Sequence, residues 1–304
     1  MPPYATLLNN LQEKLKAKFP VFYGKIPALM ALIRLNKPIG VLLLLWPTIS
    51  ALWIAAEGLP DLGLLVIFLL GTFLMRSAGC CVNDIADTNF DGSVARTRTR
   101  PLASGELERK DALYFSLVLI GCSFVLVLLT NRFTIILSLG AVVIAIIYPF
   151  MKRFTNLPQV ILGVAFSWGT LMAFTAQTGA IPEGAYLLFI ANVLWTIAYD
   201  TEYAMVDREE DLKLGLKSTA ILFDTADRTM VALLHGMFLV SLMLVANRFE
   251  LGGWFYTGLL VAAILVLYQL FLIRERDPSE CFKAFLNNNW IGAAIFAGVV
   301  LNYL

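Results

Sequence analysis

From about position 38 onward the chain alternates long apolar runs with short polar breaks. Nine runs stand out, at 38–56, 62–83, 112–129, 133–150, 158–177, 184–202, 229–246, 252–273 and 287–304. Each approaches the ~20 apolar residues that an α-helix needs to cross a hydrocarbon core. The runs are apolar on all faces, unlike a helix half-exposed to water. Interior breakers such as Pro47 and Gly71 suit a membrane helix, because neighbouring helices re-satisfy the freed backbone groups. The pattern predicts an all-α, polytopic membrane protein with nine transmembrane helices.

Residues 1–30 read differently and are set apart from a transmembrane domain at 31–304. Leu8, Leu11, Leu15 and Phe19 recur at helical spacing, with Glu13, Lys14, Lys16 and Lys18 between them. That pattern fits an amphipathic helix lying on the membrane surface. A solvated lead-in ending at Pro20 fits the same residues. The segment has neither the cleavage pattern of a secretory signal nor the Arg- and Ser-rich make-up of a transit peptide.

Orientation follows from the connections. With the N-terminus cytoplasmic, nearly all of the 23 Lys and Arg fall on that side. The far side keeps only Arg132 and Arg248, and Arg76 lies inside a span. This is the positive-inside asymmetry. It favours an odd number of spans and a periplasmic C-terminus. The two longest polar connections, 84–111 and 203–228, are both cytoplasmic, so chemistry is expected at that face.

Composition agrees with the spans. The chain is 59% hydrophobic and 15% charged, against about 25% charged in soluble domains. A net charge of +1 gives no sign of a nucleic-acid partner. Cys80, Cys81, Cys122 and Cys281 form no C-x-x-C pair, which speaks against a zinc site. His235 has no second histidine to share a metal with, and packing is its expected role.

Two acidic clusters break the apolar pattern at equivalent places. NDIADTNFD (83–91) follows the second run and YDTEYAMVDREED (199–211) follows the sixth. If the second helix continues past the membrane, Asn83, Asp87 and Asp91 share one face, with Asp84 beside it. Asp200, Asp207 and Asp211 are likewise expected on one helical face. Carboxylates so spaced repel unless a cation lies between them. Magnesium, commonly held by one or two carboxylates and substrate phosphates, fits. Basic groups lie near: Arg34 and Lys37 before the first span, Arg96, Arg98 and Arg100 after the first cluster, and Lys152 and Arg153 after the fourth span. Positive-inside bias accounts for each alone. Together with the acids they suggest a metal-bound diphosphate, with a greasy tail in lipid. A cation transporter with an acid-lined path is the alternative from another class, although acids gathered at one face favour an interfacial active site.

The motifs NDxxDxxxD and YDTxYAxxDxxxD, in this order, resemble the two signatures of the UbiA superfamily of intramembrane prenyltransferases. The likeness continues through KPIGVLLLLWPT, RTRTRPLASG, YPFMKR, KSTAILF and CFKAFLNNNWIG, and covers nearly all of the chain past residue 30. It is nearest to bacterial members that prenylate 4-hydroxybenzoate in ubiquinone synthesis, although the motifs alone fit other aromatic acceptors. The resemblance implies a nine-helix bundle around a central cavity, capped by cytoplasmic loops, in a bacterial inner membrane. It implies Mg²⁺ as cofactor, and a polyprenyl diphosphate and 4-hydroxybenzoate as substrates. Asn83, Asp84, Asp87 and Asp91 would serve one metal site, and Asp207 and Asp211 the other. Asp200 would orient the ring or support the second site. Arg96, Arg100, Tyr148 and Lys152 would lie near the diphosphate, and Arg34 and Arg153 near the benzoate carboxylate.

Overall fold

The computed structural model describes residues 20–93 and 96–304. The stretch carrying Leu8, Leu11, Leu15 and Phe19 lies outside them. Among the described residues all regular structure is helical. The helices are α1 (Pro20–Leu32), α2 (Ile39–Ala56), α3 (Leu62–Asp91), α4 (Arg109–Val127), α5 (Arg132–Ile147), α6 (Pro158–Thr178), α7 (Glu183–Val206), α8 (Arg208–Leu214), α9 (Thr219–Phe223), α10 (Asp227–Arg248), α11 (Gly253–Leu272) and α12 (Pro278–Asn302).

Among the described residues the nine apolar runs fall on nine long helices, α2 to α7 and α10 to α12. Eight of these are long and apolar enough to cross a membrane. The other, α7, carries Asn192, Asp200 and Glu202 and stands outside that eight. Two boundaries differ from the apolar pattern. α3 runs eight residues beyond 83, through the first acidic cluster. α12 begins at Pro278 rather than 287, because Asp277 caps it, accepting from the amides of Ser279 (2.9 Å) and Glu280 (3.1 Å).

Local chemistry sets the other ends. Asn131 caps α5 by accepting from the Thr134 amide at 3.0 Å, and Ser218 caps α9. Pro158 opens α6 at a position where no backbone N–H is required. Gly179, at φ 74°, ends α6 in the left-handed conformation that costs glycine little.

Packing divides into a main core and three smaller clusters, the largest of them a side core. The main core joins α2, α6, α7, α10, α11 and α12 through Leu52, Phe174, Trp195, Phe238, Phe255 and Ile291. The side core joins α1, α3 and α4 through Leu29, Leu32, Ala78, Ala112 and Leu119. α1 thus crosses position 30 and packs on the bundle, where Lys25 also pairs with Asp111 at 2.7 Å. Leu117, Val125, Ile136, Val143, Leu260 and Leu267 point outward. Such a surface suits lipid and would aggregate in water.

Candidate active site

A cavity of about 660 Å³ opens among α2, α3, α4, α5, α6 and α7. Its mouth is charged, lined by Arg34, Asn83, Asp84, Arg96 and Arg100. Its depth is apolar, with Leu43, Phe68, Val142, Phe166 and Trp168 among the lining groups.

The first cluster sits on the extended end of α3. Asn83, Asp87 and Asp91 fall one turn apart, and Asn83 donates to Asp87 at 3.3 Å. Asp84, Asp87 and Asp91 are all buried. Each is paired with a base. Asp84 takes Arg34 at 2.7 Å and Arg100 at 3.2 Å. Asp91 takes Arg100 at 2.9 Å, and Asp87 takes Lys152 at 2.5 Å. Burial raises the Asp91 carboxyl above the ordinary carboxylate range, against the pull of Arg100.

The second cluster departs from the sequence expectation. Asp200, Asp207 and Asp211 do not share one continuous helical face. α7 ends at Val206, Asp207 forms the junction, and α8 starts afresh at Arg208. Glu209, Glu210 and Asp211 fill the first turn of α8, where a helix N-terminus favours acids. Asp207 pairs with Arg96, whose Nε donates to Oδ1 at 3.1 Å. The same guanidinium donates to the Tyr203 hydroxyl and lies 4.7 Å over that ring. Asp211 is pushed up to about 6 by burial first and the neighbouring Asp207 charge second.

The remaining predicted residues divide. Arg34, Arg96, Arg100, Tyr148 and Asp200 line the cavity; Lys152 and Arg153 do not. Arg153 extends from the 3₁₀ turn Tyr148–Arg153, donates to the Ala86 carbonyl and lies 5.6 Å over Phe150. Asp200 lies near Arg76 and Gln159, and Gln159 itself accepts from the Thr219 amide at 3.1 Å.

Arg76 itself was counted in the sequence only as a cation inside a span. It lines the cavity, donates to Cys80 Sγ at 2.7 Å, and leaves its buried Nε without a partner. The signal for it was present, since an ionisable residue at membrane depth is functional by default. Tyr203, Phe282 and Phe285 also line the cavity and were likewise not singled out as site residues.

A divalent cation fits these residues. Among the described residues no three Asp, Glu, His or Cys side chains converge on one point, and the acids are neutralised by bases instead. The donors are nevertheless hard oxygens, as magnesium prefers. Asp87 keeps a buried Oδ1 without a hydrogen-bond partner, and the repulsion between Asp207 and Asp211 is of the kind a cation relieves.

Known proteins resemble this chain along most of its length. Residues 44–293 match the UbiA prenyltransferase family. A 4-hydroxybenzoate octaprenyltransferase of Ectopseudomonas mendocina (strain ymp) is 60% identical over 272 residues, covering 90% of this chain and 92% of that one. One from Pseudomonas aeruginosa (strain LESB58) is 58% identical with the same coverage. The apo structure of a UbiA homolog from Aeropyrum pernix K1 aligns with a TM-score of 0.77 at 22% identity, covering 87% of this chain and 98% of that one. A UbiA homolog from Archaeoglobus fulgidus bound to GPP and Mg²⁺ gives 0.67 at 19% identity, covering 90% and 99%. These two structures speak for the fold. With the family matched over most of its length, the chain belongs to the UbiA prenyltransferase family.

Proposed function

We propose that this chain transfers a polyprenyl group from a polyprenyl diphosphate to the 3-position of 4-hydroxybenzoate, in ubiquinone biosynthesis, with Mg²⁺ as its divalent ion. The observation that carries the reading is one cavity, charged at the mouth and apolar in its depth, in a chain 60% identical to a protein named for that reaction.

Asn83, Asp84, Asp87 and Asp91 on one side, and Asp207 and Asp211 on the other, would hold the metal, which would supply positive charge against the departing diphosphate. Arg96, Arg100 and Lys152, now on carboxylates, turn to diphosphate oxygens, which arginine grips bidentately. The allylic C–O bond breaks and its electron pair leaves with the diphosphate. Tyr148, Tyr203 and Phe285 face the resulting carbocation, which aromatic rings stabilise. The ring carbon ortho to the hydroxyl attacks, and its proton passes to Asp200 or to the released diphosphate. Arg76, with a donor left open, takes the benzoate carboxylate; Arg34 and Arg153 are the further candidates. Holding the ring this way places one carbon near the cation. The tail lies in the apolar depth and reaches lipid. The site and N-terminus face the cytoplasm of a bacterial inner membrane, with the C-terminus periplasmic.

The test uses membranes containing the protein, 4-hydroxybenzoate, a polyprenyl diphosphate and Mg²⁺, with EDTA as control. The expected product is 3-polyprenyl-4-hydroxybenzoate, lost on chelation. Product with a different aromatic acceptor only would overturn the acceptor, and no product with any acceptor would overturn the reaction.

A further inference from the structure

α8 follows directly on Asp207 and carries the half-buried Asp211 in its first turn, yet no apolar side chain among its seven residues is fully buried. Apolar packing therefore does not hold it, and a helix this short is not stable by itself. Polar anchors fix it instead. Beyond its C-terminal end, the Lys217 amide donates to the Lys152 carbonyl at 3.1 Å. At its N-terminal end, the Arg208 side chain reaches the loop before α10. There its guanidinium donates to the carboxylate of Asp224 and, at 3.4 Å, to the Asp224 carbonyl and to Asp227 Oδ2.

Asp227 is the hub of that loop. It is fully buried and opens α10, where the helix N-terminus favours a carboxylate. Arg276, from the turn between α11 and α12, grips it with Nε at 3.0 and 3.1 Å and Nη2 at 2.8 Å. Arg276 also donates to the Thr225 carbonyl at 2.8 Å. Two guanidinium groups thus meet two carboxylates. Asp224 at φ 46° and Arg276 at φ 56° both adopt left-handed backbone. Residues with a Cβ keep such conformations where surrounding contacts hold them.

We propose that Arg208, Asp227 and Arg276 form a clasp that positions α8, and with it Asp207 and Asp211, against the bundle. Arg208 and Asp227 are positioning residues, and the clasp rests on the reading of Asp207 and Asp211 as metal ligands.

Arg208→Gln is the cleanest variant, because Asp227 keeps Arg276 and no buried charge is stranded. Three quantities are read on the full-length protein in detergent. They are Mn²⁺ binding by electron paramagnetic resonance without substrate, hydrogen exchange over 208–217, and Tm. Arg208→Gln is expected to weaken Mn²⁺ binding about tenfold, the scale of one charge-assisted hydrogen bond. Exchange should rise over 208–217 and not across the bundle. Arg208→Lys should recover part of the affinity. Weakened binding in Asp207→Asn with wild-type binding in Arg208→Gln overturns the clasp alone. Wild-type binding in both removes the metal reading and the clasp with it. A lowered Tm in Arg208→Gln with unchanged Mn²⁺ affinity makes Arg208 merely structural and also overturns the clasp.

Discussion

Asp87 has one carboxylate oxygen on Lys152 and the other, buried, on no partner. Such an atom carries a desolvation cost that a cation removes. The acids of the first cluster were legible from spacing, because i, i+4 on a helix puts Asp87 and Asp91 on one face, whereas the spacing of the second cluster misled. Arg76 was marked only as a cation inside a span, because its surroundings include Asp200, which another helix brings near it. With Arg76 on the acceptor carboxylate, Arg76→Ala should raise the KM for 4-hydroxybenzoate about ten- to a hundredfold, the worth of a charged hydrogen bond. The KM for the diphosphate should change little. Steady-state kinetics with each substrate varied in turn measures both, and an unchanged acceptor KM would remove Arg76 from that role. The clasp around Asp227 was equally hidden, since Arg208 and Arg276 lie on different elements and read as ordinary cytoplasmic cations.

Element boundaries show where apolar pattern and local chemistry part. α3 and α12 each extend into polar sequence, α3 with the acids of its cytoplasmic end and α12 from the Asp277 cap. The break at Asp207 was invisible to periodicity, because REED is as good a helix start as a continuation. Close helix contacts give two predictions. A Cβ at Gly40 on α2 would meet the Arg76 guanidinium at 2.5 Å. That group is the end of a flexible side chain, so Gly40→Ala should leave Tm nearly unchanged and displace Arg76. The acceptor KM should then rise severalfold or more, since an ångström of misplacement costs up to about a hundredfold. On α11, a Cβ at Gly258 would meet the Ala294 carbonyl oxygen of α12 at 2.5 Å. Backbone does not yield as a side chain does, and small residues are what let membrane helices approach this closely. Gly258→Leu should cost about 1–3 kcal/mol of stability, read as a lowered Tm in detergent, with the site chemistry of the folded fraction intact.

At the scale of the whole molecule, the apolar runs anticipate the order of the long helices, eight of which are long and apolar enough to cross a membrane, and the charge asymmetry predicts one functional face. The cavity was legible only through the family resemblance. It arises between helices that are apolar on all sides, and nothing in a run of leucines says which of them line a void. What the bundle adds is convergence: Arg96, which lines the cavity mouth, ties the loop after the first cluster to Asp207 at the α7–α8 junction. The central claim is that these two clusters act together on one diphosphate. Its most direct test is product formation across a Mg²⁺ titration in the wild type, Asp87→Ala and Asp207→Ala, each shown to be folded. Each substitution alone should cost at least about a hundredfold in rate, the scale set by removing one preorganised stabilising group. A wild-type rate and wild-type metal dependence in either variant would contradict it.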